Sequence, residues 1–241
     1  MNPHNSLKQL LYYFLKLFIF WMILFFIQHS LFLIINYKEL QGIPAGHILL
    51  SYARAFSLDL SSVCYLMFLP LIILSIGAMT NSIEKYFIIA QWVNYFLIIF
   101  YLLISFIGIA LYVNWGTKIN SKALSFIIYP KEIAGIIFDI YNILYFGALL
   151  AIVIPVLLVF KRLFRNRQPI RPGLIRTLIF FIFFTGLMLV GARGGFHKYP
   201  INKSSCFYSK YPVLNFAALN DFWNFSAIII NPEIKKNPYV F

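Results

Sequence analysis

The sequence predicts an all-α fold, a polytopic membrane bundle of five transmembrane helices with an extracytoplasmic amphipathic tail. Three observations predict it. Of 241 residues, 61% are hydrophobic and 11% charged, with mean hydropathy +0.82; a soluble domain carries about 25% charged residues. The apolar residues fall into five long continuous runs, and roughly 20 residues suffice to cross a bilayer core as a helix. One loop between runs is basic with no acid to offset it. This excludes a water-soluble globule and a disordered chain, and continuous runs argue against the short alternating segments of a barrel. The net charge of +13 reads as topology and attraction to anionic lipid heads; no nucleic-acid partner is expected.

The first run, 11–35, follows Lys8 and contains Lys16 one turn inside. It is too long for a signal peptide and is followed by Asn36-Tyr37-Lys38-Glu39, not by small residues, so it is retained as a helix. Lys16 can snorkel to the headgroups. The second run, 56–79, holds Asp59 near its start, and the third is 87–113. The loop 114–139 carries Trp115-Gly116, Lys118, Asn120, Lys122 and Tyr129-Pro130-Lys131-Glu132. Pro130 sets Tyr129 extended and suits a helix start just after it. Tyr112, Trp115 and Tyr129 read as interface anchors, with ligand stacking as the alternative. Runs 140–160 and 174–192 complete the bundle.

Orientation follows Lys and Arg in short loops. Lys161, Arg162, Arg165, Arg167, Arg171 and Arg176, with Lys8, Lys16 and Lys85, fall on one side and outnumber Lys38, Arg54, Lys118, Lys122 and Lys131 on the other. The richer side is assigned to the cytoplasm, which puts the N-terminus inside and the tail outside a bacterial cytoplasmic membrane. Residues 1–192 are thus a transmembrane domain and 193–241 a membrane-proximal linker. The tail is Asn-rich and amphipathic, and 213–230 reads as a surface helix not apolar enough to re-enter the bilayer. Asn202-Lys203-Ser204 and Asn224-Phe225-Ser226 match the short glycosylation pattern. Cys64 and Cys206 read as unpaired.

Asp59 is the one acidic residue placed within a span, and a carboxylate there is costly. It reads as an interhelical partner or as a contact to a lipid headgroup. Arg54 lies five residues earlier, about 140° around a regular helix, so a direct pair would need a break in that helix or other partners. Arg193-Gly194-Gly195 ends the fifth run. A guanidinium binds phosphate bidentately and glycines let a backbone approach a ligand; a snorkelling anchor with a hinge is the alternative. The histidines His4, His29, His47 and His197 are scattered, with no two on one helix face.

The pieces Arg193-Gly194-Gly195, Pro200-Ile201-Asn202, Tyr208-Ser209 and Leu214-Asn215 with Ala217-Ala218-Leu219-Asn220 resemble the membrane-proximal segment of the lipoteichoic acid synthase family, the sulfatase-fold phosphoglycerol transferases. Trp115-Gly116-Thr117-Lys118-Ile119-Asn120, with Tyr129-Pro130-Lys131-Glu132, resembles the same family's loop before its fourth helix, and Arg54, Asp59 and Leu69-Pro70 fit its second helix. One departure is visible: the family often has acids before the Trp-Gly pair, where this chain has Tyr112-Val113-Asn114. The resemblance implies an anchor for phosphoglycerol transfer onto lipid-linked envelope substrates at the outer leaflet. It implies Arg193, Gly194, Gly195, Asp59, Arg54 and Trp115 as candidate substrate-binding residues and membrane phospholipid as partner. The family's catalytic Thr and its Mn or Mg belong to an extracellular domain with no counterpart in these 241 residues, so the resemblance implies a truncated product, a fragment or a split arrangement; no catalytic residue or cofactor is expected in this chain, and a separate catalytic domain is an expected partner. The alternatives are the membrane domain of a phosphoethanolamine transferase, or a small non-enzymatic transporter or scaffold subunit.

Overall fold

In a bilayer every backbone group must be satisfied inside its own segment, so apolar runs become helices. A computed structural model describes residues 3–80, 82–126, 140–165, 173–196 and 199–230. Its long helices are α1 (Pro3–Ile35), α2 (Ala45–Met79), α3 (Ile83–Trp115), α5 (Ile140–Phe164) and α6 (Leu174–Arg193), with a short α4 (Ser121–Phe126) after α3. All five long helices contain a stretch long and apolar enough to cross a membrane, and the chain is a multi-pass membrane protein. The stretch 129–132, Arg167, Arg171, His197 and Lys198 lie outside the described residues.

Local chemistry sets the ends. Asn36 stops α1 by donating its side-chain Nδ2 to Phe32 O at 2.8 Å. Pro44 precedes α2, which extends 11 residues further toward its N-terminus than the apolar run 56–79 because polar residues at a helix end can face water without breaking the ladder. Gly116 ends α3 in the left-handed region, φ +66°, donating to Tyr112 O at 2.8 Å. Central α2 buries 61% of its span inside the protein against 17% for α6, so α2 is the post around which the others stand.

The bundle has two distinct ends. At the basic end, α1, α3 and α6 begin and α5 finishes. Here the packing is aromatic: Tyr13 meets Phe87 at 5.7 Å and Phe164 at 5.4 Å, and Phe20 meets Phe160 at 5.2 Å, all edge-on. Phe14 packs on Phe180 at 5.8 Å. Such pairs contribute about 0.5–1.5 kcal/mol beyond their buried area.

The other end carries the tail. Beyond α6 come a 3-10 turn (Lys203–Cys206), α7 (Pro212–Ala218) and α8 (Asp221–Ile230). The single surface helix expected over 213–230 is instead two helices bent by 83°, and contrary to the expectation the pair together is long and apolar enough to enter a membrane. Val213, Leu214 and Ala217 are buried against Phe32, Leu33, Ile109 and Tyr112, and Ala218 and Leu219 against Ala55, Leu58 and Cys206. The amphipathic pattern was real, but its polar positions find protein partners, which frees the segment to pack among α1, α2 and α3. Pro212 starts α7, where its missing N–H costs nothing.

Candidate functional site

The tail end holds the buried charges of the described residues, and the chain reaches them through a turn. After the Gly116 cap, Asn120 Oδ1 accepts from Ala123 N at 2.9 Å and starts α4. The intervening residues swing Lys118 back into the bundle, where it is 4% exposed. Its Nζ lies 3.0 Å from Asp221 Oδ1, donates to Leu219 O at 2.7 Å, and sits 4.9 Å from the Phe32 ring centroid. Asp221 is equally enclosed. As the first residue of α8 its carboxylate also faces the positive end of the helix dipole.

Asn220 is the hub beside this pair. Its Nδ2 donates to Asp59 Oδ1 at 2.7 Å. Its Oδ1 accepts from Ser62 Oγ at 3.0 Å and from Trp223 N at 3.0 Å, the second contact capping α8. Asn224 Nδ2 donates to Ile119 O at 2.7 Å, tying α8 to the Lys118 turn. Gly108 of α3 makes room: a Cβ there would stand 2.7 Å from Asp221 Oδ1. Below the hub, Ser61 Oγ donates to Ala192 O at 2.6 Å, joining α2 to the end of α6.

The rest of the tail is held by the same device. Asn215 Oδ1 accepts from Tyr208 N at 3.1 Å and Ser209 N at 2.8 Å, while its Nδ2 donates to Ser209 O at 2.7 Å. Cys206 Sγ donates to Ala218 O at 3.0 Å, and burial pushes its thiol up to about 12. Cys206 and Cys64 are both free and buried. Asn224 is 2% exposed, so the second glycosylation pattern is closed to an enzyme.

The candidate residues named from the sequence occupy different settings. Asp59 is buried and bonded to Asn220. Arg54, one helical stretch away on unbroken α2, is exposed and lies 5.5 Å from the Tyr208 ring centroid instead of against Asp59. Trp115 is about half exposed at the end of α3. Arg193 is exposed at the end of α6. Gly194 (φ +84°) and Gly195 (φ +108°) form the helix cap, with Gly194 N on Gly191 O at 3.0 Å and Gly195 N on Val190 O at 2.9 Å. A Cβ on Gly194 would stand 2.7 Å from Ile201 Cβ. The glycines are therefore accounted for by the turn that leads the chain back over the bundle, continued by Ile201 N donating to Arg193 O at 2.9 Å.

Lys118 and Asp221 are the residues that sequence reasoning missed. Lys118 was assigned to a loop as a topology charge, and Asp221 was passed over. The available signal was the lone acid at the head of an apolar segment, directly after an Asn suited to helix capping. Among the described residues no three His, Cys, Asp or Glu side chains converge as a metal set. No protein-family model, curated protein or solved structure matches this chain.

Proposed function

We propose that the chain is the membrane-anchoring portion of a phosphoglycerol-transferase-like protein of the lipoteichoic acid synthase type, holding its tail at the outer face of a bacterial cytoplasmic membrane beside lipid-linked substrates. The observation that carries this reading is the latched tail. The segment after the fifth span is fixed by the Lys118–Asp221 pair and the Asp59–Asn220 bond, as a tether needs if it is to hold a working domain, on this chain or a separate one, at constant height. The sequence pieces that resemble the family lie in this same latch: Lys118 and Ile119 from the Trp-Gly loop, Leu219 and Asn220 from the tail. In this reading Arg193, at the rim, meets a phospholipid phosphate.

Two experiments test it. In a cysteine-free background, Lys210→Cys should label from outside cells and Arg165→Cys should not; the reverse pattern removes the orientation. Residues 1–230, put in place of the membrane portion of a lipoteichoic acid synthase, should support polymer synthesis; normal insertion with no synthesis removes the family reading. A second reading, a transporter subunit, draws on the buried charges, since intramembrane ions often mark transport paths. Against it, Lys118, Asp221 and Asp59 are closed on each other and on Asn220.

A further inference from the structure

We propose that the basic end binds the headgroup of an anionic phospholipid in a recess between α1 and the end of α5. The inference is independent of the family reading and concerns the end of the bundle remote from the tail. On α1, Lys8, Tyr12 and Lys16 recur every four residues and so share one face. Together with Leu163 and Phe164 they line a recess of about 340 Å³. A second concavity of about 590 Å³ is lined by Leu158, Lys161, Arg162 and Arg165. Among the described residues no carboxylate lines either one.

Lys16 is more than a loose snorkelling anchor. Its Nζ donates to Leu163 O at 2.6 Å and lies 5.4 Å from the centroids of both Tyr12 and Phe164. An ammonium has three donors, and this one is fixed in advance at the mouth of the recess, which lowers the ordering cost of binding. Lys8 is exposed on the same lining, while Lys161, Arg162 and Arg165 are exposed in the separate second concavity. A basic pocket between transmembrane helices is a known form of phospholipid headgroup site. The apolar surroundings select lipid over a soluble phosphate: Leu163 in the lining and Leu15, next to Lys16 on α1, are 41% and 57% exposed and offer surface to acyl chains.

The test uses the full chain in nanodiscs of equal phosphatidylglycerol and phosphatidylcholine, released for native mass spectrometry. Both leaflets are present on every disc, so a variant that inserts in reverse in cells is still read correctly. Phosphatidylglycerol should be retained in excess. Lys8→Gln should lower that excess by about fivefold, and Lys161→Gln with Arg162→Gln, in the separate concavity, should lower it less. Lys16→Gln should act more strongly, but because Lys16 also ties α1 to α5 its result is read only with an unchanged melting curve, and Lys8→Gln decides. All comparisons are repeated in an Arg193→Gln background, which removes the tail-end contact of the proposed function. Equal retention of the two lipids in that background, no effect of Lys8→Gln, or a larger loss from the Lys161 and Arg162 pair overturns the inference. Loss of the excess on adding millimolar inorganic phosphate also overturns it, by making free phosphate the ligand.

Discussion

At the basic end, Tyr13, Phe14 and Phe20 of α1 meet Phe87, Phe160, Phe164 and Phe180 ring against ring. At the tail end, α2, α3 and α8 meet through Asp59, Asn220, Lys118 and Asp221. The difference is one of tolerance. In a membrane, lipid tails are as apolar as the core, so ring packing rests on shape and dispersion summed over many contacts. Loss of one ring contact is absorbed by its neighbours. A buried ion pair has no such neighbours: with one partner gone, the other charge stays in a medium that cannot solvate it. The aromatic end fits a surface open to lipid, while the ionic end fixes one geometry for a segment bent by 83° between its two helices.

The strongest way to break this comparison is Lys118→Met. It leaves Asp221 buried and alone and should cost about 3–5 kcal/mol, measured by reversible unfolding in detergent. Lys118→Met with Asp221→Leu should recover much of that loss; a single variant near wild type would show that the latch is not ionic. Asn220→Ala removes the cap of α8 together with the bonds to Asp59 and Ser62 and should cost about 2 kcal/mol. Gly108→Ala pushes a methyl against Asp221 and should cost about 1 kcal/mol. That cost should vanish in an Asp221→Ala background, because the two residues share one contact; persistence there would mean a backbone effect. At the aromatic end, Asn94→Ala loses a 3.4 Å bond to Tyr13 Oη and should change stability by about 0.6 kcal/mol. A larger loss would mean that this end, too, relies on polar contacts.

The smallest effect sharpens the same contrast through reactivity. An ordinary thiol titrates near 8.5, so raising pH from 7 to 9 multiplies its thiolate and its maleimide labelling. Burial pushes Cys206 up to about 12; a group shifted upward stays protonated across that window, so labelling should remain flat and near zero. Labelling that appears in Lys118→Met but not in Asn94→Ala would show that the latch, and not the bundle as a whole, shields it.

Much of the fold was legible. The helices α1, α2, α3, α5 and α6 each contain one of the five apolar runs because the rule behind both is local: a backbone without water must bond to itself. Gly116 and Gly194 end α3 and α6 as left-handed caps, whereas the sequence alone reads Gly194 and Gly195 as a ligand approach or a hinge. The tail was misread for a related reason. Amphipathicity compares one face of a segment with another, and it assigns polar positions to solvent by default. Asn220, Asp221 and Asn224 instead face Asp59, Lys118 and Ile119 O, partners more than 100 residues away in sequence. Nothing in the spacing of either stretch announces the other. Asp59 was singled out correctly as costly, but its partner could not be inferred from α2, where Arg54 sits on the wrong side.

The sequence by itself determined that this chain crosses a membrane, and about where, because hydrophobic length and backbone satisfaction are properties of one segment at a time. Tertiary structure alone decided that the polar tail turns inward, that a loop lysine becomes a buried ion, and which helices enclose them. Those outcomes depend on charges and amides meeting across distant segments, and a buried polar group is stable only where its complement has already been placed.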